Sequence, residues 1–262
     1  MNDVPSIETL WLALIEREPE AKCAMVGAIG KLDADIAHQP RPQTWQPGRP
    51  QSLQLVSPRE VPVRGLGSDA GRAALLHAIA HIEFNAINLA LDACLRFADM
   101  PAQYYEDWLS VAKDEARHFT MLAERLATFG HRYGDVPAHN GLWEAAEKTA
   151  YDVLARMALV PRVLEARGLD VTPGMIHRLT EMRDAQTVAI LRVILDEEVR
   201  HVAIGTYWFR WLCAQRSLEP DATFRKLLAE SDTRIRPPLN WPARQAAGFS
   251  RNELPPELLA GL

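Results

Sequence analysis

A chain of 262 residues with a formal net charge of −5 is long enough for one large domain or two small ones. Its 48% apolar and 24% charged residues are ordinary for a globular protein. The charge argues against the broad basic surface of a strong nucleic-acid binder: residues 1–140 hold 13 basic and 18 acidic side chains, and residues 141–262 hold 16 of each. No uninterrupted apolar run nears the ~20 residues of a membrane span. Met1-Asn2-Asp3-Val4-Pro5 lacks the basic and apolar parts of a secretory signal. A cytoplasmic location with no membrane partner is therefore expected. Cys23, Cys94 and Cys213 are widely separated with no C-x-x-C pair, which argues against a disulfide framework or a zinc knuckle.

Residues 6–31 read as one or two short helices. Ser6 caps the first, Leu10, Trp11, Leu14 and Ile15 follow at helical spacing, and Pro19 opens a second pattern through Ala21, Met25 and Ile29. Residues 38–67 hold six prolines with Gly48, Gly65 and Gly67, a density no helix survives. An ordered wrap anchored by Trp45 is expected there. Ser68 or Asp69 then caps a helix to about Ala98, with a stripe of Leu76, Ile79, Ala80, Ala86, Ile87, Ala90 and Cys94. Met100-Pro101 opens a second long helix that ends near Phe129-Gly130. A third begins between Leu142 and Thr149 and runs to Gly168. Thr172-Pro173 starts a further helical piece, the turn falls near Arg183-Asp184, and a fourth long helix reaches Gln215. The tail from Arg236 to Leu262 is again proline-rich, and no strand pattern occurs.

Two short segments repeat. Residues 114–118 read Asp-Glu-Ala-Arg-His and residues 197–201 read Glu-Glu-Val-Arg-His. Each holds Glu-x-x-His, which puts a carboxylate and an imidazole on one helix face. The motif alone is weak, but each copy has a glutamate about one helical hairpin earlier. Glu83 precedes Glu115 by 32 residues (115 − 83), and Glu165 precedes Glu198 by 33 (198 − 165). Glu83 lies 15 residues before Ala98 and Glu115 lies 14 after Pro101, so at about 1.5 Å per residue the two carboxylates reach one level of an antiparallel pair. The longer interval from Glu115 to Glu165 suits a connection along the bundle's length, which makes the second and third long helices parallel. A ferritin-like four-helix bundle with a long crossover is the expected all-α architecture. Its divisions are residues 1–67 (helices and wrap), 68–216 (bundle) and 217–262 (packing tail).

Glu83, Glu115, His118, Glu165, Glu198 and His201 would then hold two metal ions. Four carboxylates inside a bundle repel and are poorly solvated without cations. Oxygen ligands with imidazole suit iron, or manganese, better than zinc. Asp114 and Glu197, each four residues before a ligand histidine, are candidates to orient the imidazoles or else to pair with Arg117 and Arg200. His77 and His81 are four apart, but His81 lies about 200° around the helix from Glu83, so structural roles are expected for both. His177 is expected on an exposed helical face. Pro161 should kink its helix, either opening space beside the metals or sitting harmlessly near a helix end. Arg162 and Arg167, which flank Glu165, are expected to pair with surface acids, with binding of a substrate anion as the alternative. Asn240 and Arg244 either close over the bundle's mouth or simply pack the tail.

Ile82-Glu83, the segments 114–118 and 196–201, the run Pro161–Gly168, and Asn240, Ala243-Arg244 and Ala247-Gly-Phe249 together resemble a bacterial ferritin-like family known as DUF455. A more distant resemblance is to tRNA isopentenyladenosine hydroxylases, which have a similar di-iron bundle. The resemblance implies a fold and a metal centre more than a reaction. The leading expectation is an oxidoreductase that uses two irons and dioxygen to oxidise or hydroxylate a small or RNA-borne substrate, with a reductant the sequence does not identify. A homodimer is one assembly left open. Alternatives are a ferroxidase or storage protein, a manganese catalase-like peroxide enzyme, or a non-catalytic helical module.

Overall fold

The structure, a computed structural model, describes residues 4–61 and 65–259. The expectations that touch Met1–Asp3, Pro62 and Ala260–Leu262 lie outside the described residues. The fold is all-helical, and among the described residues no strand forms; Leu55 and Ala138 make one isolated bridge. Two compact units divide the chain, Met1–Trp143 and Glu144–Leu262.

In the first unit, α1 (Ile7–Ile15) begins with a capping box at Ser6 and Thr9, which satisfies orphan backbone donors at the helix start. α2 (Pro19–Ala28) opens on its proline and buries Pro19, Lys22 and Val26. Of the expected stripe, Ile29 is buried, but the buried face of α2 itself lies one residue away from Ala21, which is exposed, and Met25, which is half-buried. The shift is set by Lys22, whose ammonium is wholly buried. It donates to the carbonyl oxygens of Leu14 (2.8 Å) and Gly48 (3.1 Å) and to Asn88 Oδ1, and lies 4.8 Å over the Phe84 ring.

The proline-rich stretch is held at several points. Gly48 donates to the Leu14 carbonyl, and a Cβ there would meet Glu16 O at 2.0 Å, so only glycine permits this approach. Trp45 Nε1 donates to Asp92 (2.8 Å), and the Arg96 guanidinium, itself bonded to Asp92, covers the Trp45 ring. The expected anchor is thus in contact with the long helix behind it.

α3 (Asp69–Arg96) is capped by Ser68 Oγ, which accepts from Gly71 N, and it is buried over most of its circumference. Among the described residues it is long and apolar enough to cross a membrane by length and composition. However, 78% of the qualifying window is buried inside the protein, as in a core helix. The turn at Asp99, with φ of 61°, leads into α4 (Ala102–Ala127), and the short link folds the two helices into an antiparallel hairpin.

α5 (Gly141–Lys148) is short. The chain breaks there and restarts at Asp152, which caps α6 (Val153–Leu159), so the expected single third helix is two pieces. α6 passes into a π-turn, Val160–Glu165, with Pro161 at its start. Pro161 has no N–H to continue the α ladder, and the wider turn absorbs the loss. α7 (Ala166–Glu181) then runs unbroken through Gly168 and Pro173, contrary to the expected interruption. Pro173 cannot bond the carbonyl of Leu169, four residues back; that carbonyl instead accepts from Asn240 Nδ2 (3.1 Å). The turn falls at Arg183 (φ 59°) and Asp184 as expected. α8 (Ala185–Gln215), α9 (Pro220–Glu230), α10 (Trp241–Ala246) and α11 (Pro256–Leu259) complete the second unit.

Candidate metal centre

In the first unit the α3–α4 hairpin brings three of the predicted ligands together. Glu83, Glu115 and His118 are all buried. His118 Nδ1 lies 3.1 Å from Glu83 Oε2 and 3.3 Å from Glu115 Oε2. Within this unit the candidate ligand atoms of the three lie within 4.8 Å of one another. Burial disfavours a charged imidazole at His118, but hydrogen bonds and charge from Glu115 and Glu83 outweigh it and push the pKa up to about 10. At neutral pH the imidazolium is thus the cation between two buried carboxylates. A divalent ion in its place would bring two charges where the proton brings one.

His81 and His77 point elsewhere, as the helical angle requires. His81 Nδ1 meets the Tyr133 hydroxyl (2.8 Å) and its Nε2 meets the His139 carbonyl (2.9 Å). His77 Nε2 accepts from Gly134 N (2.9 Å). Burial lowers both imidazole pKa values to about 4, which keeps them neutral as structural partners. The Tyr133 ring packs on Phe84 and Phe119 at 5.2 and 5.1 Å, the residues that follow Glu83 and His118.

In the second unit, Glu198 and His201 are buried on α8, with His201 Nδ1 3.7 Å from Glu198 Oε1. Glu165 closes the π-turn and is half-buried. Buried Glu198 and His201 thus carry, within this unit, a carboxylate and an imidazole of the kinds that hold metal ions. The donor set is oxygen-rich with imidazole and contains no thiolate, which fits iron or manganese. Asp114 accepts from Arg117 (2.7 Å) at the α4 surface, and Glu197 is half-buried on α8. His177 is exposed and 3.4 Å from Glu181.

Arg162 departs from expectation. It is not on the surface but fully buried, bonded to buried Glu253 and enclosed by Phe209, Phe224 and Phe249 at 4.5, 4.1 and 4.7 Å. Burial lowers its pKa to about 10 and raises that of Glu253. Arg167 donates to the carbonyls of Arg236, Pro237 and Pro238 rather than chiefly to an acid. Arg244 makes two bonds to Asp170 (2.9 and 2.7 Å). Neither Glu253 nor Asp170 carries a local signal in the sequence, because each partner lies more than 70 positions away. Lys22 was equally hidden among its apolar neighbours.

Fold and site define an all-helical protein with buried clusters of glutamate and histidine. The chain belongs to the family described as "Protein of unknown function (DUF455)", whose model matches residues 15–255. It is 42% identical over 258 residues to an uncharacterized protein of Haemophilus influenzae, covering 92% of this chain and 90% of that relative. No solved structure matches.

Proposed function

We propose that the protein is a di-iron carboxylate oxidoreductase that uses dioxygen to oxidise or hydroxylate an organic substrate. In this reading α3, α4, the π-turn with α7, and α8 are the four helices of a ferritin-like bundle. The half-site of Glu83, Glu115 and His118 is completed by Glu165, Glu198 and His201. The observation that carries the reading is the buried approach of His118 to Glu83 and Glu115, with the same Glu-x-x-His pattern repeated at Glu198 and His201. When bound, the two irons supply the redox equivalents that the side chains lack. The chain's own groups hold them: the glutamates balance charge, and the imidazoles, once deprotonated, complete each ligand set.

Asp114 and Glu197 are proposed to steady the two imidazoles. Cytoplasmic residence, a small or RNA-borne substrate and a homodimer belong to the same proposal.

The test is metal analysis of protein purified without chelators, followed by anaerobic Fe(II) loading and measurement of oxygen uptake. Two irons per chain and uptake well above a Glu115→Ala control are expected. Uptake equal to that control refutes the oxidase reading. Uptake that ends in a mineral core inside a multi-subunit shell would instead favour iron storage. Manganese with peroxide disproportionation would favour a catalase-like enzyme.

A further inference from the structure

The C-terminal segment grips the chain on both sides of Glu165. Three residues before it, Arg162 is tied to Glu253 and to Thr206 Oγ1 (3.3 Å). Two residues after it, Arg167 holds the carbonyls of Arg236, Pro237 and Pro238. Five residues after it, Asp170 receives the Arg244 guanidinium and the Asn240 backbone N–H. Asn240 also fills the hydrogen bond that Pro173 removes from α7.

The π-turn has a fixed seat as well. A Cβ on Gly205 would lie 2.4 Å from both Cβ and Cγ of Pro161, so the turn rests directly on the α8 backbone, one helical turn beyond His201. A proline in such a turn leaves one backbone hydrogen bond unmade. This one is held besides by a buried ion pair, a glycine notch and a strap.

We propose that the strap of residues 236–253, acting chiefly through the Arg162–Glu253 pair, is a positioning device that sets where Glu165 presents its carboxylate to the metal centre. The proposal rests on the reading of Glu165 as a metal ligand. Arg162 and Glu253 touch no metal in it; they act through the backbone of the turn. Groups that orient metal ligands in this way commonly change metal affinity 10- to 100-fold when altered, and a buried ion pair replaced by apolar residues of similar volume often leaves stability intact. Those two facts separate positioning from bulk stability.

The experiment uses the full chain and Co(II), a redox-quiet probe with an absorption and EPR signature of its ligands. Wild type should bind two Co(II). The neutral double variant R162M/E253L should keep a thermal midpoint close to wild type, but one Co(II) should bind about 10- to 100-fold more weakly with an altered visible band. Arg167→Ala changes an exposed side chain and serves as a second probe if the double variant does not fold; it should shift the same band in the same direction by less. Wild-type Co(II) affinity and spectrum in a folded double variant, or in Arg167→Ala where the double variant does not fold, overturn the positioning role. Absence of Co(II) binding by wild type overturns the metal reading itself, and this proposal with it.

Discussion

Lys22 offers a measurement in which sign and size both follow from geometry. Its ammonium has no exposure, three oxygen acceptors and an aromatic face. Burial lowers its pKa to about 7, assisted by the charge of Arg49. The unfolded chain holds that proton up to about 10.4. Between these values the unfolded state binds the proton and the folded state does not, so stability rises with pH. The rise is about 1.4 kcal/mol per pH unit, or about 3 kcal/mol from pH 7 to pH 9.5. Lys22→Met takes the ammonium donor from the Gly48 carbonyl and Asn88 Oδ1, at about 1–3 kcal/mol each, while the Leu14 carbonyl keeps the Gly48 N–H, and it removes the penalty of dehydrating a charge. The variant's deficit should therefore be smallest at pH 6.5 and widen by about 3 kcal/mol at pH 9.5. Urea unfolding of both proteins across this range measures the difference, and titrations common to both cancel. Two stability curves that run parallel would refute the account.

Mn(II) at a hundred times its dissociation constant should stabilise wild type by about 2.7 kcal/mol, a rise in Tm of about 5–10 °C for a chain of this size; Glu83→Gln should lose most of it, and an equal rise in both would remove Glu83 from the site. Asp170→Asn leaves the Arg244 guanidinium buried with an uncharged partner and should cost about 3–5 kcal/mol in chemical denaturation; a change below 1 kcal/mol (about a fivefold shift in the folding equilibrium) would show the pair to be dispensable. Gly205→Ala forces a methyl against Pro161 and should cost about 1–3 kcal/mol, read by thermal melting. Trp45→Phe keeps the ring beneath Arg96 but removes the donor to Asp92, with an expected loss of about 1.5–3 kcal/mol; unchanged stability would mean that the wrap is held elsewhere.

The parts of the molecule legible in the sequence are those decided locally. Ser68 or Asp69 announces α3, Met100-Pro101 separates α3 from α4, and nearly equal distances from that break place Glu83 level with Glu115 and His118. Sequence reasoning failed where a distant residue changes the local rule. Pro173 reads as a helix break until Asn240 supplies the missing bond. Arg162 reads as a surface cation until Glu253 and three phenylalanines enclose it. Lys22 draws no reading at all, because its acceptors come from the wrap and from α3. In each case the partner is brought in by tertiary structure, and periodicity carries no trace of it.

The placement of Glu83 near the midpoint of α3 has a bearing on biogenesis. During synthesis this helix emerges before α4, and its length and hydropathy approach those of a segment that insertion machinery would accept. An acidic side chain at the centre of such a segment costs about 2.5–3.5 kcal/mol to place in a bilayer, and Asp92 and Asn88 add to that barrier. The carboxylate that the hairpin buries therefore sets a free-energy cost on any bilayer placement of this helix, one that its length and mean hydropathy alone do not reveal.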